Sequence, residues 1–297
     1  MSCREEFFLE PEESSPNLNF ISELSTESPI SATLSTTVPF GAQEGSELPP
    51  DAMVFFSGSD LPVLATAMTF NDNRGFYELR RFDFKPTQGN TYEIKAFLPN
   101  SSFDTLSATT YIPRSGRISQ VNTLSVSKRE VSINEEHYII RVSVSLAEPR
   151  DLPAYFQIIP HRVLTTFRTD SDGNVLFTDH NELEELKIKN VLSDRNAVFE
   201  FSHKNGIFID YSRLQDNNIE LELETSEPLS RHSEVIRLLN IQLNTLAPEL
   251  YYYNSFLNDQ FRANKTTFSY PVNSYSNINN GIGIFGGYST VRVNTPL

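Results

Sequence analysis

Ile219-Glu220-Leu221-Glu222-Leu223-Glu224 alternates an aliphatic residue with a carboxylate without a break. Successive side chains of a strand point to opposite faces, so this stretch has one aliphatic face and one acidic face. A parallel sheet covered on both sides would bury those carboxylates without partners, at a cost of several kcal/mol each. The strand therefore belongs to an antiparallel sheet with one face toward water.

The same period recurs on either side of it. Tyr138-Ile139-Ile140-Arg141-Val142-Ser143-Val144-Ser145-Leu146 and Tyr92-Glu93-Ile94-Lys95-Ala96 read as strands. Met53-Val54-Phe55-Phe56, between Pro/Asp and Gly/Ser punctuation, reads as a more buried one, as does 233–244 with Val235, Ile236, Leu238, Leu239, Ile241 and Leu243. Asn71-Asp72-Asn73-Arg74-Gly75 is a turn cluster leading into Phe76-Tyr77-Glu78-Leu79. Short strands at turn-separated intervals predict an all-β, mainly antiparallel chain built as sandwiches.

The length, 297 residues, suits two bodies, because single cores stop growing near this size. The first set of strands ends near Tyr111-Ile112-Pro113, and the polar break Arg114-Ser115-Gly116 marks the boundary. The expected division is a flexible tether over 1–16, a first sandwich over 17–115 and a second over 116–297, closing in a Gly/Asn-rich motif. One helix is predicted near 248–263: Pro248 and Glu249 suit a first turn, and Leu250, Tyr253, Phe256, Leu257 and Phe261 follow at helical spacing. Tyr251, Tyr252 and Tyr253 cannot all face one way on a helix, so at least one is exposed or at a contact.

Composition narrows the function classes. A net charge of -14 opposes nucleic acid and anionic membrane surfaces, while 22 Phe and 12 Tyr supply large core side chains. There is no apolar run long enough for a membrane-spanning helix. The single cysteine, Cys3, leaves no internal disulfide and no Cys-rich metal site. Met1-Ser2-Cys3 reads either as the remnant of a lipoprotein signal, with Cys3 carrying the lipid, or as a free thiol on a loose terminus. Residues 4–16, acidic and containing Pro and Ser, suit a tether after an attachment point.

Candidate chemistry is sparse. Gly281-Ile282-Gly283-Ile284-Phe285-Gly286-Gly287 lacks the Lys-Ser/Thr ending and the following helix of a phosphate loop, so its glycines predict a tight bend or bulge beside a final strand. Asp170-Ser171-Asp172-Gly173-Asn174 alternates oxygen ligands, but its glycine sits too early for a calcium loop, and a hairpin turn is the expectation. His137, His161, His180, His203 and His232 form no metal-ligand spacing, and no nucleophile elbow occurs. Carboxylate pairs are not readable from spacing among 38 acidic residues. The expectation is a non-enzyme with no metal and no cofactor.

The run Tyr270-Pro271-Val272-Asn273-Ser274-Tyr275-Ser276-Asn277-Ile278-Asn279-Asn280-Gly281-Ile282-Gly283-Ile284-Phe285-Gly286-Gly287-Tyr288-Ser289 closely resembles the closing motif of domain of unknown function 4249, a family of Bacteroidota outer-membrane lipoproteins. The preceding strand and Pro-Glu-Leu-Tyr helix resemble the same family's end segment, and the N-terminal half, closing at Thr110-Tyr111-Ile112-Pro113, resembles its immunoglobulin-like sandwich. Arg4-Glu5-Glu6 resembles the acidic export signal of such lipoproteins. The resemblance implies a lipid-anchored protein on the cell-surface side of the outer membrane. It would be an accessory subunit of a β-barrel complex for TonB-dependent nutrient transport or barrel assembly. Its partners would be a barrel protein, other lipoproteins or both, with membrane contact through the lipid alone. Partner-contact candidates are Tyr251, Tyr252, Tyr253, Asn277, Asn279 and Phe285. Asp104-Thr105-Leu106 is similar to an O-glycosylation acceptor of the same bacteria, which would place a sugar on Thr105. A stand-alone surface module for a glycan or peptide is the alternative, although the chain has no tryptophan for the commonest carbohydrate platform.

Overall fold

The computed structural model describes residues 17–37, 48–61, 65–79, 84–132, 135–172, 174–193, 197–200, 206–228, 235–263 and 275–296. Among them the first part of the chain forms β1 (Leu18–Ser25), β2 (Ser31–Thr36), β3 (Met53–Gly58), β4 (Thr66–Ala67), β5 (Thr69–Asn71), β6 (Phe76–Glu78), β7 (Thr91–Phe97) and β8 (Leu106–Tyr111). Then come β9 (Ile118–Ser132), β10 (Glu135–Leu146), β11 (Tyr155–Thr169), β12 (Val175–Glu185), β13 (Lys187–Val191), β14 (Val198–Glu200), β15 (Ile207–Asp210), β16 (Asn218–Pro228) and β17 (Val235–Leu246). Helix α1 (Pro248–Ala263) and the closing strand β18 (Ile282–Pro296) complete the order. The all-β, mainly antiparallel reading with one helix over 248–263 holds.

The strand that opened the sequence reading is β16, antiparallel to both β10 and β13. Ile219, Leu221 and Leu223 are fully buried in the second core, with Val142, Val144 and Ile241 among their cluster. Its acidic face carries basic partners from both neighbouring strands. Arg141 and Lys189 lie 3.2 and 3.1 Å from Glu222, and Lys187 lies 2.6 Å from Glu224. Opposite charges facing each other across a ladder favour its register, so this face rewards the antiparallel pairing that buries the aliphatic one.

Two sandwiches follow. In the first, β4-β3-β7-β8 packs on the sheet containing β1-β2-β6-β5, around Phe20, Leu34, Phe56, Tyr77 and Tyr92. Each such ring, fully buried, contributes roughly 1.5–3 kcal/mol. In the second, β13-β16-β10-β9 packs on the sheet containing β15, β11 and β17.

The closing strand joins them. Residues 282–288 of β18 pair in parallel with β1, from Asn19 opposite Ile282 to Ser25 opposite Tyr288. From Tyr288 onward the same strand runs antiparallel to β17, from Leu246 opposite Tyr288 to Leu238 opposite Pro296. One continuous sheet thereby crosses both bodies. The division by sequence assigned all of 116–297 to the second body, whereas Ile278 and Phe285 are in the first core. A purely local reading misses this, because the pairing joins the two ends of the chain.

Candidate contact surface at the joint

Helix α1 lies where β18 changes partner. Its first turn is tied down by Ala247, whose N–H donates to Gly287 O at 2.8 Å and whose carbonyl accepts from Leu250 and Tyr251. Leu250 and Tyr251 form a third core with Tyr155, Phe208, Leu246 and Ile284. The buried stripe of the helix continues through Asn254 and Asn258. Asn254 is accommodated because its Nδ2 donates to Leu250 O, 2.7 Å away. Phe256 was expected on this stripe and is instead 38 % exposed. At 100° per residue it stands about 160° round the helix from the centre of the Leu250–Asn254–Asn258 stripe, on the opposite side.

The outward side of the helix is aromatic. Tyr252, also 38 % exposed, has its ring centroid 5.9 Å from Tyr275. Tyr275 in turn stacks on Phe256 at 6.1 Å, an offset geometry that favours such pairs beyond their area. Beneath them Tyr155 stacks on Tyr251 at 4.3 Å, and its hydroxyl shares a 2.7 Å hydrogen bond with that of Tyr252. Burial, reinforced by that bond, pushes the Tyr155 phenol up, and burial raises Tyr251 to about 12. Burial also raises Tyr253 and Tyr275. These four phenols are uncharged at neutral pH, so the patch combines apolar ring faces with hydroxyl donors.

The Asn-rich turn before β18 is a clamp. Asn277 Oδ1 accepts the Phe285 N–H at 3.0 Å, and its Nδ2 donates to the Phe285 carbonyl at 2.8 Å. Asn279 makes an isolated antiparallel bridge with Ser107, and Asn280 Nδ2 donates to Thr105 O at 3.0 Å. The turn thus holds β18 in one sheet and β8 in the other.

Other candidates resolve into structural parts. Asp170 accepts from Asp172 N, Asn174 N and Asn174 Nδ2, which caps the turn between β11 and β12; Gly173 lies outside the described residues. Lys189 holds the Glu222 carboxyl below its ordinary range, and Lys187 does the same for Glu224. That is the opposite of what a proton-donating acid needs. Among the described residues no helix is long and apolar enough to cross a membrane, and no group of His, Cys, Asp and Glu has metal-binding geometry.

With this geometry in hand, a family model described as Domain of unknown function (DUF4249) matches residues 4–293. The chain belongs to the DUF4249 family. No curated protein matches this DUF4249 chain. Among solved structures it shows a match to the crystal structure of BcpA*(D312A), the major pilin subunit of Bacillus cereus, at 11 % identity and a TM-score of 0.17. The match covers 77 % of this chain and 64 % of the pilin.

The six contact candidates of the DUF4249 chain separate in the structure. Tyr252 is at the surface and Asn279 is exposed, while Tyr253 is half-buried. Phe285 is not a contact residue: it is fully buried in the first core. Tyr251 is also buried, and both amide atoms of Asn277 are engaged with the Phe285 backbone. Strand alternation from Ile284 could have placed Phe285 inward, but only with the partner strand known. Tyr275 and Phe256, which complete the patch, were not among the sequence candidates. Their pairing joins a helix to a loop, and no local period reports it. Thr105 is exposed at the start of β8, and Cys3 lies outside the described residues.

Proposed function

We propose that this DUF4249 protein is a non-enzymatic, surface-exposed lipoprotein. It serves as an accessory subunit of an outer-membrane β-barrel complex, in nutrient transport or barrel assembly. The observation that carries the reading is the joint. A strand shared by two sandwiches and a helix packed on it fix both bodies as one unit and present Tyr252, Phe256 and Tyr275 at its surface. Aromatic side chains with few rotatable bonds are among those that dominate protein contacts. Cys3, followed by an acidic stretch, supports attachment to a membrane by lipid.

Affinity purification of the native, detergent-solubilised protein tests this. A barrel protein is expected to co-purify, Cys3 is expected to carry acyl mass, and the double substitution Tyr252→Ser/Phe256→Ser is expected to release the barrel while a single cooperative melt, at a lower temperature than wild type, shows the chain still folded. A chain that elutes alone, or whose Cys3 is unmodified, overturns the reading. A stand-alone module for a surface glycan or peptide is the second reading, favoured by the cleft described next.

A further inference from the structure

The linker that follows β8 and the loop that follows β10 form a cleft of about 480 Å³ in the crease between the sandwiches. Its lining includes Arg114, Arg117, Arg150, Gln88, Ser115 and a single carboxylate, that of Glu148. Arg141, Lys187, Lys189, Arg213 and Arg292 each face a carboxylate within 3.2 Å. Among the described residues the side chains of Arg114, Arg117 and Arg150 have no such partner, although the chain carries a net charge of -14. All three are exposed.

The backbone that carries them is held in place. Gln88 Nε2 donates to Ser115 Oγ at 2.8 Å and Gln88 Oε1 accepts the Ser115 N–H at 3.0 Å. Gly116 N donates to Thr245 Oγ1 at 2.7 Å, and Ala147 N donates to Arg117 O at 2.8 Å. The linker is thus pinned from the first sandwich, the second sandwich and the opposite wall. Arg114 and Arg150 also border a narrow slot of about 50 Å³, walled by Tyr111, Pro113, Pro153 and Phe156 and with the Asp151 carboxylate in its lining.

We infer that this crease binds an acidic oligosaccharide, a short chain of sugar rings bearing carboxylate or sulfate groups. Guanidinium forks match both groups in bidentate geometry. The cleft has the size of a ligand site, well above that of an inorganic ion. A peptide fits less well, because Pro149 in the cleft and Pro113 and Pro153 in the slot beside it offer no N–H to its backbone. Among the described residues these three arginines share one crease of an acidic protein, which suits a short ligand over a duplex or a bilayer. Recognition through charge also accords with a chain that has no tryptophan for ring stacking.

Calorimetric titration of the whole folded chain tests the inference, using oligogalacturonate, a chondroitin sulfate oligosaccharide, a neutral malto-oligosaccharide and an oligoglutamate of similar length. Saturable binding of at least one acidic oligosaccharide is expected, with none of the neutral one and at least tenfold weaker binding of oligoglutamate. Preference between the first two tells carboxylate from sulfate. Each of Arg114→Gln, Arg117→Gln and Arg150→Gln is expected to weaken binding about tenfold, and the triple substitution to abolish it. A control of equal charge, Arg74→Gln/Lys95→Gln/Lys189→Gln, is expected to keep binding, with thermal melts showing every variant folded. Failure to bind either acidic oligosaccharide overturns the inference. So does equal loss in the control and cleft triples, or equal binding of oligoglutamate. The inference does not rest on a barrel partner, so a chain that purifies alone leaves it standing.

Discussion

Leu250 of α1 sits directly over Gly286 of β18: a Cβ at position 286 would lie 2.7 Å from the Cβ of Leu250. The helix can seat on the strand because that side chain is missing. A Cβ at Gly287, next along, would meet the Tyr111 carbonyl oxygen at the end of β8 even more closely. Both approaches occur just before β18 leaves β1 for β17.

Gly286→Ala is therefore expected to destabilise the protein by about 1–3 kcal/mol, as overpacking does. Urea unfolding should show a lower midpoint with unchanged slope. A variant as stable as wild type would mean that the contact does not constrain the helix.

Asn277→Ala removes both hydrogen bonds to the Phe285 backbone, about 2 kcal/mol if the stranded groups stay dry. Asn277→Asp keeps the acceptor and loses the donor, and should fall between the two. Equilibrium unfolding of the pair against wild type gives the order.

Tyr252→Phe deletes the hydroxyl that binds Tyr155, at a cost of about 1 kcal/mol or less, since the site is partly wet. The Tyr155 phenol loses one of the influences that raise it, so its titration should move back toward the ordinary tyrosine range. Ultraviolet absorbance titration of wild type and variant reads this directly.

Stability should fall at both ends of the pH scale. Burial raises Tyr77 and Tyr251 from 10.0 to about 12, so the folded state holds those protons more tightly than the unfolded chain. Their contribution is complete below pH 10.0 and is lost as pH rises through about 12. Glu222 and Glu224 shift the other way, so their contribution is present above 4.5 and disappears as pH falls through their lowered values. Burial lowers the His161 imidazole from 6.5, so its contribution is full above 6.5 and falls away below it, and urea midpoints from acid to alkali should show a plateau between about pH 7 and 10. A slope inside that interval would contradict the account.

The strands were legible wherever one face was wet. In β16 each carboxylate marks the outer face and each aliphatic residue the inner one, and the structure follows that alternation. The helix was legible from Pro248 and its spacing, yet its buried stripe was misread at Phe256. The stripe runs through Asn254 and Asn258, whose polarity hides it from an apolar count. The contact patch was half legible: Tyr252 stood out, whereas Tyr275 and Phe256 enter through a pairing between distant segments. The arginine crease was invisible, since Arg114, Arg117 and Arg150 look like ordinary polar punctuation until two loops meet.

By itself the sequence determined the class of fold, the antiparallel character of its sheets, the place of its helix and its net acidity. Those follow from period and composition, which act over a few residues. Only the tertiary structure decided that the last strand closes the first sandwich as well as the second, that Phe285 is core and that three unmatched arginines share one crease. Each depends on contacts between residues far apart in the chain, set by which apolar faces can be buried together and unreadable from any local window.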